Sequence, residues 1–332
     1  MNNIKKNKNI FITGAAGYVG SVLVPRLLSE GYSVTAFDIM IYGQNVLKPH
    51  PNLKIVKGDI RDIKILKELI PGHDGVIHLA CISNDPSFEL NPKLGKSINL
   101  DAFRPLVEVS VKSGVNRFIY ASSSSVYGIR EEKDVHEDIS LKPLTDYSKF
   151  KADCEKILLE FNSSDFTNII IRPATVCGYA PRQRLDVVVN ILTNLAYHKR
   201  IISVFGGEQL RPNIHIRDMV ESYLSLLKSP SKLVKSEIFN AGYENQSVKS
   251  LAETVKEVVG EDVKLNYTPT DDNRSYHISS KKIANVLGFV PKHTIKEAVQ
   301  DLKLAFEKGL LPNSLEDEKY FNIKRMQSID LN

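Results

Sequence analysis

The hydrophobic positions in the first half of the chain fall into short continuous runs, each followed by a longer stretch with helical spacing. Residues 10–13 form such a run and end in a glycine-rich break. Residues 33–37, 53–57, 75–79, 117–122 and 168–172 have the same character and read as strands. Residues 19–29, 62–69, 99–113 and 146–161 lie between them and read as helices. Runs that are apolar throughout, rather than alternating, fit strands buried on both faces. Strands that alternate with helices predict an α/β fold: a Rossmann-type, doubly wound parallel sheet.

Beyond about residue 180 the pattern loosens into Arg- and Pro-containing loops, with a helix at 218–227, a short strand at 238–240 and a helix at 248–259. This predicts a sheet domain over residues 1–180 and a smaller α/β lobe formed mainly by 181–332. No internal repeat or low-complexity linker separates them, so strands from the second half are free to return to the main sheet.

Composition changes this picture little. The 332 residues are 42% apolar and 25% charged, ordinary globular usage for a chain of about two domains. A net charge of +5 suits anionic small molecules. No stripe of Lys and Arg interleaved with aromatics argues for nucleic acid. Cys81, Cys154 and Cys177 are far apart and form no CxxC pair. They read as reduced thiols of a cytoplasmic protein, and no metal site is expected. No run of 18 apolar residues implies a membrane span, and the basic residues of MNNIKKNKN lead into no signal-peptide core.

Candidate chemistry starts at TGAAGYVG, with glycines at Gly14, Gly17 and Gly20 between a predicted strand and a predicted helix. In that setting glycines allow a tight turn, close approach to a pyrophosphate and helix–strand packing. The helix N-terminus adds free N–H groups and a positive dipole end. Alone, such a triplet is weak. Asp38, closing the second predicted strand, adds an acid that can hold both ribose hydroxyls of an adenosine and repel a 2′-phosphate. The pair favours NAD over NADP.

Tyr147 and Lys151 stand four residues apart in DYSKFK, one turn apart on one helical face. An ammonium beside a phenol favours the phenolate, which can take a proton from an alcohol and return it. By itself this spacing usually marks an amphipathic surface helix. The serine-rich ASSSSVYG at 121–128 closes a predicted parallel strand, where such sheets place their sites.

Together TGAAGYVG, Asp38, GDIRD at 58–62, HLA at 78–80, Asn99, SSSSVYG and YSKFK resemble the extended short-chain dehydrogenase/reductase family, in its nucleotide-sugar epimerase and dehydratase branch. The resemblance runs from residue 10 to about 300. It implies NAD, held by Gly14, Gly17, Tyr18, Val19, Gly20, Asp38, Asp59, Ile60, Leu79, Ala80, Asn99, Tyr147, Lys151 and Pro173. It implies Ser123, Tyr147 and Lys151 as the catalytic set. It places a nucleoside-diphosphate sugar against Ser83, Ser123, Ser124, Arg182, Arg184, Asn190, Arg211 and Arg274. Forked arginines suit a diphosphate. A homodimer or higher homo-oligomer through helices 99–113 and 146–161 is also implied.

Two departures narrow the chemistry. The family's 4,6-dehydratases carry an Asp–Glu pair where this chain has Ser124 and Ser125, and serine is a poor general acid. Oxidation, epimerisation or ketoreduction at the sugar 4-position remain. The loops at 81–92 and 181–190 resemble a subgroup that includes GDP-heptose 4-dehydrogenases of bacterial capsule pathways, which makes GDP-D-glycero-α-D-manno-heptose the expected substrate. A 4-epimerase that retains its cofactor and a non-catalytic NAD sensor are the alternatives; a sensor has no need of the Ser, Tyr and Lys.

Overall fold

The computed structural model describes residues 9–83, 85–132, 134–270, 275 and 277–329. In chain order the strands are β1 (Asn9–Thr13), β2 (Ser33–Asp38), β3 (Leu53–Lys57), β4 (Gly75–His78), β5 (Arg117–Ala121), β6 (Thr167–Pro173), β7 (Thr175–Cys177), β8 (Ile201–Phe205), β9 (Leu210–His215), β10 (Glu237–Ala241), β11 (Glu244–Ser247) and β12 (Lys264–Thr268). Seven of them form one sheet in the order β10-β6-β5-β4-β1-β2-β3, every pair parallel. This is the Rossmann-like α/β sheet that the sequence predicts.

The continuous apolar runs have their reason here. Successive strand residues face opposite sides of a sheet. Ile10 and Ile12 join the core that holds Leu23, Ile77 and Met219. Phe11 joins the opposite core with Phe37, Phe103 and Phe118. Both faces are covered, so no polar alternation is tolerated. The order reverses beside β1, which has β2 on one side and β4 on the other. A crevice opens at the C-terminal ends of strands at such a reversal.

One predicted helix is interrupted. Residues 99–113 do not form a single α-helix: Ser97–Asp101 is a π-helical stretch and the α-helix runs over Phe103–Lys112. The buried Asn99 side chain leaves the helix to accept from Ile82 N at 2.8 Å and donate to Ile82 O at 2.9 Å. It thereby ties the loop after β4 to this wider turn.

The second half serves two places. Strand β10 pairs with β6 in the main sheet. Helix Ile216–Lys228 buries Met219, Tyr223 and Leu226 in the same core as β1. The remainder, joined by β7 from the end of the first half, forms sheet β11-β9-β7 and the parallel pair β12-β8. Helices Val188–Lys199, Val248–Val259 and Ile295–Glu307 share a separate apolar core there. The C-terminal helix Asn322–Ser328 turns back to the first half, where Arg325 Nε donates to Ile41 O at 2.6 Å. Among the described residues no helix is long and apolar enough to cross a membrane.

Candidate active site

A cleft of about 370 Å³ lies at the strand ends on both sides of β1. One wall is the glycine loop. Gly14 has φ +71°, and a Cβ on it would stand 2.6 Å from Ala80 N. A Cβ on Gly20 would lie 2.5 Å from the carbonyl oxygens of Gly14 and Ala15. Both positions exclude a side chain, and the loop thereby presents its backbone and the first turn of helix Gly20–Ser29 to the cleft.

Asp38 faces this loop from the end of β2. Its Oδ2 accepts from Ala16 N at 3.0 Å and its Oδ1 from Met40 N at 2.7 Å. Burial raises its carboxyl above the ordinary range, opposed by those two N–H groups. Each carboxylate oxygen keeps a further lone pair for a ribose hydroxyl. Asp59 and Ile60 line the same end. The Asp59 carboxylate is gripped by Arg61, with Nη2 to Oδ2 at 2.6 Å. Burial pushes that carboxyl up, but Arg61 outweighs it and holds it below the usual range.

The other wall carries the residues expected to react. Ser123, Ser124, Tyr147, Lys151 and Pro173 all line the cleft. Thr145 caps helix Asp146–Glu160 through a capping box with Ser148, which fixes where the helix starts and so where Tyr147 points. Lys151 Nζ donates to Ala121 O at 2.6 Å and lies 5.9 Å from the Tyr147 ring centre. Ser123 Oγ accepts from Ser125 N at 3.1 Å and from Ser125 Oγ at 2.9 Å. With both lone pairs engaged, its own O–H is left to donate.

Behind this wall is a buried polar chain. Ser122 Oγ donates to Glu155, Glu155 pairs with Arg172 at 2.6 Å, and Arg172 Nη1 donates to Tyr127 Oη at 2.8 Å. His78 is kept neutral, its pKa pushed down to about 3 by burial and then by Lys151.

The remaining expected residues divide. Tyr18, Val19, Leu79, Ala80, Ser83, Arg182 and Arg184 line the cleft. Asn99 stands behind it and holds Ile82. Asn190 is fully buried and lines no part of it. Its amide takes Gly178 N at 3.0 Å and donates to Tyr18 Oη at 3.0 Å and Arg184 O at 2.8 Å. It braces the glycine loop against the second half. Arg211, on β9, is likewise not in the lining and donates to Leu210 O at 2.9 Å. Arg274 lies outside the described residues. Asn322 and Tyr42 line the cleft and were not singled out from sequence, since neither sits in a motif. Among the described residues no cluster of three or more His, Cys, Asp or Glu side chains is placed to hold a metal ion.

These residues fit NAD: a backbone cradle, a helix N-terminus and an acid at the strand end. The family model described as "NAD dependent epimerase/dehydratase family" matches residues 10–242. The UDP-glucose 4-epimerase of Lactobacillus helveticus is 27% identical over 307 residues, covering 86% of this chain and 92% of that one. UDP-arabinose 4-epimerase 1 of Arabidopsis thaliana is 27% identical over 327 residues, covering 88% and 78%. The UDP-glucose 4-epimerase of Thermotoga maritima, solved with UDP-glucose, superposes with a TM-score of 0.82 at 26% identity, over 91% of this chain and 99% of that one. MoeE5, solved with UDP-glucuronic acid and NAD, gives 0.80 at 26% identity over 91% and 99%. The chain is an enzyme of the NAD dependent epimerase/dehydratase family.

Proposed function

We propose that the protein oxidises the 4-hydroxyl of a nucleoside-diphosphate sugar at Tyr147, and that the net reaction is 4-epimerisation. The observation that carries this is the meeting of Ser123, Tyr147 and Lys151 with the glycine loop and Asp38 in one cleft. NAD held there would supply a nicotinamide able to accept a hydride from the sugar carbon and to give it back. The protein's own groups handle the proton. Tyr147 as phenolate accepts it from the hydroxyl, the Lys151 ammonium offsets the negative charge, and the Ser123 O–H steadies the reacting oxygen. The same groups return the proton when the sugar presents its other face.

Dehydration is disfavoured by the lining. Its only carboxylates among the described residues are Asp38 and Asp59, both at the glycine-loop end. Ser124 and Ser125 occupy the place where a dehydratase needs an acid and a base.

The epimerase reading is supported by the relatives, whose names specify uridine sugar nucleotides. Simple 4-oxidation of GDP-heptose, expected from the loops at 81–92 and 181–190, is the second reading. Those two loops do meet at the cleft, through Arg184 Nη1 and Ser83 Oγ at 3.3 Å. A homodimer through helices Phe103–Lys112 and Asp146–Glu160, and a cytoplasmic location, belong to the same proposal. A panel of UDP- and GDP-sugars, read by mass spectrometry and NMR, separates the readings. A new isomer of unchanged mass supports epimerisation. Loss of two hydrogens with GDP-heptose supports oxidation. No conversion across the panel overturns both.

A further inference from the structure

The sequence places Arg182 at the sugar nucleotide, but its surroundings belong to the other ligand. Its backbone N donates to Ser21 Oγ at 3.3 Å, in the first turn of the helix that follows the glycine loop. Its guanidinium stacks 3.5 Å over the Tyr42 ring, in the loop that follows Asp38. Its charge is felt at Asp38. Arg184, two residues on, pairs with Asp186 at 2.6 Å and donates to Ser83 Oγ at 3.3 Å. Both arginines are anchored near Ser83, Arg184 directly and Arg182 through Asn322, but only Arg182 also reaches the helix after the glycine loop, through its backbone N.

Arg182 is also incompletely satisfied. It is 4% exposed, and its Nε is buried with no hydrogen-bond partner among the described residues. A buried guanidinium N–H without an acceptor is costly, and such groups are normally paired. The residue lines the cleft, so a ligand there can supply the acceptor. The side chain is not free to swing away. Asn322 Oδ1 accepts from Arg182 Nη2 at 2.6 Å, and Asn322 Nδ2 donates to Ser83 Oγ at 2.8 Å. Asn322 N is in turn held by Asp186 Oδ2 at 2.8 Å.

We infer that Arg182 binds the diphosphate of the dinucleotide cofactor, not the sugar nucleotide, and that Asn322 of the C-terminal helix is the positioning residue that aims it. This rests on the NAD reading of the cleft. The chemistry is that of a forked donor meeting phosphate oxygens beside a helix N-terminus. It gives the last helix of the chain a role in cofactor retention, which a 4-epimerase needs between the two halves of its reaction.

The test is a fluorescence titration of NADH into the full chain stripped of nucleotide, with UDP and GDP binding measured by calorimetry. Arg182→Gln is expected to weaken NADH by about tenfold or more, the scale of one lost charged hydrogen bond, and to leave UDP or GDP binding unchanged. Asn322→Leu is expected to act in the same direction. Asn322→Asp keeps the acceptor for Nη2 and should restore NADH affinity, which a purely structural defect would not do. Thermal unfolding verifies that each variant folds; if Arg182→Gln does not, the Asn322 pair decides. NADH affinity unchanged in Arg182→Gln, or loss of UDP and GDP binding with NADH retained, overturns the inference. So does equal weakening by Asn322→Leu and Asn322→Asp. No sugar and no turnover enter these titrations, so failure of the epimerase reading leaves them interpretable.

Discussion

Lys151 donates through Nζ to the carbonyl of Ala121 at 2.6 Å, which pins the helix of Tyr147 to the strand end that leads into Ser123. A second tie lies one turn further along the same helix, where Glu155 receives Ser122 Oγ. Glu155 and its partner Arg172 are each 3% exposed. Removing one member of such a pair leaves an unpaired buried charge, which costs about 3–5 kcal/mol. Glu155→Ala is therefore expected to lower unfolding stability by about that amount, measured by urea denaturation. The double variant Glu155→Leu/Arg172→Met should lose less, since no orphaned charge remains. Equal losses would contradict this account of the pair.

Gly14 combines a close backbone neighbour with a left-handed backbone conformation. Alanine there meets two penalties at once: φ +71°, and a methyl 2.6 Å from Ala80 N. The neighbour is backbone and cannot rotate away. Gly14→Ala is expected to abolish NAD binding by isothermal calorimetry even where circular dichroism shows a folded chain. Wild-type affinity in this variant would mean that the loop adopts another shape.

In the proposed NAD site, Asp38 sets the cofactor choice. Its removal takes away the acceptor for the ribose hydroxyls and the repulsion of a 2′-phosphate. Asp38→Ser is expected to weaken NAD about tenfold or more and to narrow the gap between NAD and NADP, read as the ratio of their dissociation constants.

His78 predicts how stability depends on pH. In the folded protein its pKa is pushed down to about 3, against 6.5 for the ordinary side chain. The unfolded chain therefore binds the extra proton between those values. This contribution is fully present above about pH 6.5 and is lost as pH falls toward 3. Acid-side melting curves of His78→Asn, which cannot titrate, should decline less steeply with falling pH than those of the wild type. Parallel slopes would exclude His78 as a source of the acid sensitivity.

How much of this was legible beforehand depended on the range of the interactions. Strands β1, β2, β4, β5 and β6 were readable because most of their residues are buried on both faces and apolar; the edge strand β3 is exposed to half-buried and is legible only from Leu53, Ile55 and Val56. Strands β7, β8, β9, β11 and β12 were not read. Most are short or half-exposed, as in β8, where only Ile202 and Val204 are buried; β9 is more buried, but its Arg211, Pro212, Asn213 and His215 hide it among polar loops. The helix expected over 99–113 is instead π-helical at Ser97–Asp101 and α-helical from Phe103, with the Asn99 side chain bonded to Ile82. At the site, Ser123, Tyr147 and Lys151 carry local motifs and come together as expected. Asn190 and Asn322 did not announce their roles. Asn190 looks like a ligand-binding amide until its partners Gly178, Tyr18 and Arg184 are seen, and Asn322 reaches Arg182 from 140 residues away. Arg182 and Arg184 are neighbours in sequence, and only the fold shows that Asn322 and Ser83 link them.

In the proposed reaction a hydride leaves the sugar 4-carbon for the nicotinamide while Tyr147 takes the hydroxyl proton. A single-turnover experiment tests it with a sugar nucleotide deuterated at that carbon, chosen from the panel, followed by acid quench and mass spectrometry of the released dinucleotide. The account predicts deuterium in the dinucleotide of the wild type. In Tyr147→Phe it predicts transfer slower by about 10²–10⁴-fold, with NAD still bound. Deuterium appearing in water instead, or transfer in Tyr147→Phe at the wild-type rate, would contradict it.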